Sequence, residues 1–254
     1  MSYALGIRVE DGLILAADSR TNAGPDHVSA FRKLHVFERP GERLIGLAVI
    51  GNLSLAQSLV AVLRGNGAAA GRPKSLATEF MEASSMTDAV RIVGEAVRAV
   101  ELRDGAALSR HNITFDVTVL AGGQIGKERH RLFQVYPAGN FIEASEDAPY
   151  FQIGERKYGK AVLDQTIQAR TDLSSAYCAA LLSMDATMQN NATVGPPIDI
   201  LALERDRLRP SIAKRVLDDD QHMADVRRRW SAGIRDLVSV LPEPPGLSAR
   251  TRTR

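Results

Sequence analysis

The sequence contains very little cysteine and no large excess of either charge. Cys178 is the single cysteine among 254 residues, so the chain can form neither a disulfide framework nor a cysteine metal site. A reducing cytoplasm fits this composition. The formal net charge is +2, which gives no reason to expect a nucleic acid as a partner. The five histidines show no ligand spacing, so we expect no metal.

Long hydrophobic runs are also missing. The segment 44–63 carries no charge and has about the length that crosses a bilayer, roughly 20 residues, but polar residues interrupt it. We interpret it as a buried strand over 43–50 that continues through Gly51 and Asn52 into a helix over 53–63. Charges also break the N-terminal apolar run, so we expect no signal peptide. We predict a cytoplasmic protein without a membrane partner.

Hydrophobic periodicity predicts strands, two helices, more strands, two more helices and final strands. The predicted strands cover 2–9, 13–20, 33–38, 43–50, 113–121, 130–136, 140–144, 150–153, 198–203 and about 210–213. The predicted helices cover 53–63, about 87–104, 156–169, 172–190 and 218–241. This order lacks the strict alternation of a doubly wound parallel fold. We predict a single domain over 1–241 and a flexible tail, rich in proline and arginine, over 242–254.

The first two predicted strands place a hydroxyl near a carboxylate. Asp11-Gly12 lies between two apolar runs, which is typical of a hairpin turn. In the expected register Ser2 lies opposite Thr21, and a slip of one residue puts it opposite Arg20. Either register brings Ser2 into the neighbourhood of Asp18. Removal of the preceding methionine would give Ser2 a free α-amine, and thus a nucleophile with its own base.

Several short segments carry a recognisable combination of residues. They are Ala17–Gly24, which reads Ala-Asp-Ser-Arg-Thr-Asn-Ala-Gly, Phe31–Lys33, His35–Phe37, Ile153–Lys160 and Ser183–Asp185. The combination resembles the proteasome β-subunit group, and within it the bacterial branch called Anbu, from residue 2 to about residue 240. The resemblance implies an N-terminal nucleophile hydrolase of the α+β class. Its fold would be a four-layer αββα sandwich of two mainly antiparallel sheets.

The same resemblance implies a catalytic set of Ser2, Asp18 and Lys33. Ser2 would attack a peptide carbonyl, because its α-amine, with a reference pKa of about 8, can take the hydroxyl proton near neutral pH. Lys33 would lie against the hydroxyl and stabilise the developing alkoxide. Burial would lower the pKa of this lysine, whereas Asp18 would raise it. The sequence leaves open which effect is larger. This chemistry needs no metal and no organic cofactor.

Further site residues follow from the same family pattern. The backbone N–H groups of Gly51 and Asn52 would bind the oxyanion. The supporting residues would be Ser19, Arg20, Glu155 and Asp185. Glu155 stands where catalytic β-subunits usually have the serine of Gly-Ser-Gly, and 191–195 stands where they have Asp-x-x-Ser-Gly. The groups that polarise the α-amine are therefore rebuilt or weak.

The resulting hypothesis is a proteasome-type peptidase that assembles with copies of itself into a ring or an open spiral. Its substrate would be a peptide or an unfolded protein, and an ATPase is a possible further partner. Two alternatives remain open. One is a catalytically silent, proteasome-like scaffold subunit. The other is an amidase that uses the same nucleophile on small acyl amides or peptide conjugates.

Overall fold

The computed structural model describes residues 1–22, 28–66, 75–242 and 245. The chain divides into two units, Met1–Asp218 and Asp219–Arg254. The predicted tail over 242–254 lies almost entirely outside the described residues. The single domain expected over 1–241 stays a prediction. Among the described helices, none has the length and apolar character that crossing a membrane requires.

The described strands and helices follow the predicted order, except that the helix over 76–82 and the short strands over 20–22 and 28–30 were not predicted. In chain order the strands are β1 (Tyr3–Val9), β2 (Gly12–Asp18), β3 (Arg20–Asn22), β4 (Val28–Ala30), β5 (Leu34–Arg39), β6 (Arg43–Gly51), β7 (Val117–Ile125), β8 (Arg131–Val135), β9 (Phe141–Glu143), β10 (Tyr150–Gly154), β11 (Ile198–Glu204) and β12 (Ile212–Val216). The helices are α1 (Leu53–Leu63), α2 (Leu76–Glu82), α3 (Met86–Arg110), α4 (Lys157–Thr166), α5 (Leu173–Asn190) and, in the second unit, α6 (Gln221–Ser239).

Two five-stranded sheets form the centre of the first unit. The first has the order β10-β1-β2-β11-β12, the second has the order β5-β6-β7-β8-β9, and a small ribbon pairs β3 with β4. Every pairing is antiparallel.

The two sheets pack face to face between two layers of helices. Buried Leu15, Leu120 and Leu132 lie between the sheets. On the outer face of the second sheet, α1, α2 and α3 enclose a separate apolar core that includes Leu59 and Val93. On the outer face of the first sheet, α5 packs against β1 and β2, and α4 packs against α5. The result is a four-layer αββα sandwich, so the predicted fold class is confirmed.

Side chains that satisfy the first N–H groups fix where the helices begin. Asn52 caps α1 through the N–H of Ser54, and Ser85 caps α3 through the N–H of Asp88. The predicted end of α3 at 104–105 is wrong, because the helix continues through Gly105 to Arg110. A glycine inside a helix costs only about 1 kcal/mol relative to alanine, so it does not by itself end one.

The register of the first hairpin differs from both expected registers. Val9 pairs with Gly12 and Ala4 with Ala17, so the turn residues are Glu10 and Asp11. Gly12 belongs to β2, where it pairs with Val9. A Cβ there would lie 2.2 Å from the carbonyl oxygen of Leu203 on β11. The glycine thus serves close strand packing and not the turn. In this register Tyr3 lies level with Asp18.

Candidate active site

Asp18 ends β2 and is fixed by the backbone next to Ser2. Its side chain is fully buried, with an exposed fraction of 0%. Oδ1 accepts the N–H of Tyr3 at 3.0 Å, and Oδ2 accepts the N–H of Gly195 at 3.4 Å. Tyr3 follows Ser2 directly, so this carboxylate is held against the first strand at its N-terminal end.

Lys33 lies immediately before β5 and completes a buried ion pair. The residue is 5% exposed, and Nζ donates to Asp18 Oδ1 at 2.8 Å and to the Arg20 carbonyl at 2.6 Å. Lys33 Nζ and the Tyr3 nitrogen both contact Asp18 Oδ1, at 2.8 and 3.0 Å, so they are at most 5.8 Å apart. The Lys33 carbonyl accepts the N–H of Val49 at 2.8 Å, which holds the lysine against β6.

Burial dominates the electrostatics of this pair. It raises the pKa of Asp18 above its ordinary value, and the charge and hydrogen bond of Lys33 oppose this rise. Burial likewise lowers the pKa of Lys33, and Asp18 opposes this fall. Burial therefore makes the ammonium easier to deprotonate than that of a lysine in water, and the ion pair with Asp18 counteracts this effect.

Ser2 is held by a turn on the other side of β1. Its carbonyl accepts the N–H of Glu155 at 2.9 Å. Gly154 has a φ of +81°, and a Cβ there would lie 2.0 Å from the Ser2 carbonyl oxygen, so only glycine allows this approach. Met1 precedes Ser2 and is 70% exposed. While Met1 is attached, the Ser2 nitrogen is an amide and not a base.

The two expected oxyanion donors have different surroundings. The N–H of Asn52 donates to the carbonyl of Asp116 at 2.8 Å, so it is not open to a substrate, contrary to expectation. Gly51 adopts a φ of +116° at the end of β6. The Val49 N–H points towards Lys33, and alternate residues of a strand direct their N–H groups to the same side. The Gly51 N–H is therefore directed to the side of the strand on which Lys33 lies.

Ser19 and Arg20 hold the end of β2 against the opposite edge of the site. Ser19 Oγ donates to Asp199 Oδ2 at 3.2 Å, and the same carboxylate accepts from Arg215 at 3.0 Å. The Arg20 guanidinium donates to the Ala192 carbonyl at 2.8 Å. Both side chains therefore bond to neighbouring segments of the protein, and the Arg20 carbonyl accepts a hydrogen bond from the Lys33 ammonium.

Glu155 and Asp185 are the two buried carboxylates among the expected supporting residues. Glu155 Oε2 accepts from Asn191 Nδ2 at 2.9 Å, and both residues stand where the family pattern departs from that of catalytic β-subunits. The two residues that differ from the pattern of catalytic β-subunits are therefore in direct contact. Asp185 is buried on α5. In the part of the chain that the structure describes, no three side chains of the metal-ligating types converge on one point.

Tyr3 is a site residue that the sequence reasoning missed. Its buried hydroxyl lies 2.6 Å from Ser183 Oγ, which itself donates to the Gly159 carbonyl, and it accepts from Gln152 Nε2. Burial raises the pKa of the Tyr3 phenol to about 12. The signal was available, because a tyrosine in an otherwise aliphatic strand needs a polar partner for its hydroxyl.

Comparisons with known proteins agree with this fold and geometry. No family model matches the chain. The solved structure of Anbu (ancestral beta-subunit) from Yersinia bercovieri is 40% identical, with a TM-score of 0.85, covering 97% of this chain and 100% of that one. A helical assembly of the Anbu complex from Pseudomonas aeruginosa is 40% identical, with a TM-score of 0.86, covering 96% and 98%. Proteasome subunit beta 2 of Pyrobaculum aerophilum is 25% identical over 208 residues, which are 81% of this chain and 90% of that protein.

The sandwich and the buried carboxylate–lysine pair beside the first strand define the class as proteasome β-subunit-like. Within that class, the identity and near-complete coverage of the solved structures assign the family. The chain belongs to the Anbu family.

Proposed function

We propose that this chain is a peptidase of the proteasome type whose nucleophile is Ser2 once Met1 has been removed. The observation that carries the proposal is the buried Asp18–Lys33 pair, which is bonded to the N–H of Tyr3, the residue after Ser2. A buried ion pair is costly to maintain and is weak support for stability alone. A buried pair beside a chain terminus is therefore better explained by chemistry.

The reaction follows from the groups that would be present after Met1 removal. The Ser2 α-amine takes the hydroxyl proton as Oγ attacks the carbonyl carbon of the scissile bond. The resulting tetrahedral intermediate collapses when the C–N bond breaks, and the leaving amine takes the proton from the α-ammonium. Water then attacks the ester of Ser2, with the α-amine again as the base, and releases the acid product.

Two further groups would stabilise negative charge during these steps. The Lys33 ammonium, fixed by Asp18, would stabilise the developing alkoxide of Ser2. The N–H of Gly51 would donate to the carbonyl oxygen as it becomes an oxyanion. One such donor typically contributes about 100- to 1000-fold in rate. Because the N–H of Asn52 is already engaged, Gly51 would carry this role without it.

We further propose that the protein acts in an assembly of its own copies. The relative from Pseudomonas aeruginosa is described as a helical assembly, and a head-to-tail contact that does not close gives such an open arrangement. Active sites that face the inside of such an assembly would admit peptides and unfolded chains and would exclude folded proteins.

The experiment combines intact mass spectrometry with a covalent probe. The natively expressed protein is expected to lack Met1. A peptide epoxyketone, which needs both the hydroxyl and the free α-amine, is expected to form an adduct on Ser2 in wild-type protein and none in Ser2→Ala. Lys33→Met is expected to retain the processed N-terminus but to label much more slowly. Processed wild-type protein that never forms an adduct or cleaves any peptide of a diverse panel would refute the peptidase.

A second candidate is a catalytically silent scaffold. The engaged N–H of Asn52 favours it, because a full pair of oxyanion donors is then absent. It predicts that Ser2→Ala leaves assembly, cellular phenotype and every measured activity unchanged. The labelling experiment separates the two candidates, since a scaffold gives the same mass spectrum with and without the probe.

A further inference from the structure

A cavity lies at the outer edge of the first sheet, where β1 separates β10 from Asp18 on β2. It has a volume of about 750 Å³ and wraps around β10, between α4 on one side and β8 on the other. Strand β10 is the last strand of its sheet among the described residues. The proposed reaction uses none of the groups described below.

The backbone of β10 has N–H and C=O groups on its open edge that have no hydrogen-bond partner among the described residues. Two hydrogen bonds show which residues of this strand bond to β1. The Arg8 N–H donates to the Pro149 carbonyl, and the Glu155 N–H donates to the Ser2 carbonyl. In an antiparallel pair the bonded positions alternate. The N–H and C=O of Tyr150 and Gln152 therefore point away from β1, to the open edge. An extended segment can pair with both.

Gln152 adds a side-chain group at the same place. It lines the cavity and is only 6% exposed. Its Nε2 donates to the Tyr3 hydroxyl, and its Oε1 has no hydrogen-bond partner within the described residues. This oxygen can therefore accept a hydrogen bond from a segment bound in the cavity.

Three cations and two carboxylates, Asp147 and Asp164, line the cavity, so its charge balance favours an anionic occupant. Arg156 and Lys157 line the end of the cavity that lies beyond the last residue of β10, and in the described part of the chain neither forms an ion pair. Lys160 is different, because it is paired with Asp164 at 2.6 Å. An acidic side chain carried by an extended segment would meet the two unpaired cations.

We propose that this groove binds an extended acidic peptide, which adds as a strand to β10 and places a carboxylate at Arg156 and Lys157. Strand addition uses main-chain hydrogen bonds for affinity and side-chain contacts for specificity. The occupant is also coupled to the candidate active site. A donor to Gln152 Oε1 polarises the amide and strengthens its bond to Tyr3, whose N–H bonds Asp18. This second part rests on the proposed function of Ser2.

Binding is tested with the full chain in its native assembly. The probe is a fluorescein-tagged, end-blocked hexapeptide of alternating valine and aspartate, followed by fluorescence anisotropy. We expect saturable binding that is lost when alternate amides of the peptide are N-methylated or when lysine replaces aspartate. Arg156→Glu with Lys157→Glu should weaken binding about tenfold or more, because two charge-assisted contacts are reversed. The matched control, Lys127→Glu with Arg129→Glu, makes the same charge change on exposed residues and should bind as wild type.

Coupling is measured in two ways. The peptide should change the rate at which the epoxyketone labels Ser2 by about threefold or more. It should also slow hydrogen exchange in the segment 1–9. Gln152→Met should keep most of the binding but lose both effects. If the protein is never labelled while the peptide binds and slows exchange, the proposed function fails and the groove stands.

Two results would overturn the inference, namely absence of saturable binding and equal binding of the N-methylated peptide. If the hexapeptide does not bind and the Arg156/Lys157 variant changes the size of the assembly in light scattering, the groove holds a second copy of the chain instead. Binding without any change in labelling or exchange, in protein that does label, would overturn the coupling.

Discussion

The sharpest stability prediction concerns the buried ion pair. Lys33→Met keeps the length of the side chain but leaves the Asp18 carboxylate, 0% exposed, without its cation. Removing one partner of a buried pair costs about 3–5 kcal/mol. The N–H groups of Tyr3 and Gly195 remain bonded to the carboxylate, so we expect a value near the lower end, about 3 kcal/mol. Asp18→Asn leaves the ammonium with neutral acceptors alone, the asparagine oxygen and the Arg20 carbonyl, and should cost about as much.

The double variant distinguishes a true pair from two independent losses. Asp18→Asn with Lys33→Met removes both charges and keeps an oxygen for the Tyr3 N–H. Replacing a buried ion pair by neutral groups of similar volume is often close to neutral. We therefore expect a loss clearly below the sum of the single variants, with a coupling energy of about 2–3 kcal/mol.

Urea unfolding of the full chain at fixed protein concentration measures these free energies. Repeating the measurement at several pH values tests whether the destabilisation by Lys33→Met changes in the expected direction. In Lys33→Met the carboxyl stays buried without a cation, so its folded pKa lies above the unfolded value of about 3.9. Protonation is then easier in the folded state, and the destabilisation should shrink as the pH falls from 8 towards about 5. Single losses below about 1 kcal/mol, or fully additive losses, would refute the reasoning about the pair.

Three further predictions concern two glycines and stability in acid. Gly51→Ala should lose about 1–3 kcal/mol of unfolding free energy, because φ is +116° and the new Cβ would lie 2.2 Å from the Asp116 carbonyl oxygen. Gly105→Ala in α3, where the nearest atom is a flexible Glu101 side chain at 3.4 Å, should instead gain about 0.5–1 kcal/mol, and a loss there would contradict the helix assignment. His35 has a pKa lowered to about 4, mainly by burial and then by two arginines. Since this lies below the unfolded value of about 6.5, stability should be lost as the pH falls from about 6.5 towards 4. Urea melts at pH 7 and 5 should show a loss that His35→Phe abolishes.

The sequence predicted the parts of the fold that depend on short-range pattern and on the spacing of distinctive residues. Alternating apolar residues located most strands, and Asp18 and Lys33 are paired as the motif resemblance implied. The hairpin register was missed because the role of Gly12 depends on Leu203, which is remote in sequence. Turn propensity depends only on neighbouring residues and therefore could not predict that contact.

The details of the candidate site were harder to predict for the same reason. Nothing in the sequence indicates that the N–H of Asn52 meets the carbonyl of Asp116, since that bond depends on the exact end of β7. The contact between Glu155 and Asn191 joins two departures from the family pattern that look independent in the sequence. Paired departures of this kind become interpretable only when tertiary contacts are known.

The geometry around Ser2 predicts that Met1 removal changes chemistry but not the fold. The Tyr3 N–H is held by Asp18, and the Ser2 carbonyl is held by the Glu155 N–H. Both bonds lie on the C-terminal side of the bond that is cleaved. Met1 is 70% exposed, so its loss removes little packing, and we expect the free energy of unfolding to change by less than about 1 kcal/mol.

Protein produced with the host methionine aminopeptidase inhibited retains Met1 and supplies the comparison. Its urea transition should nearly overlay that of processed protein, while only the processed form reacts with the epoxyketone. A large stability difference between the two forms would mean that the free amine rearranges the site. The fixed position of Ser2, on which the proposed reaction depends, would then have to be abandoned.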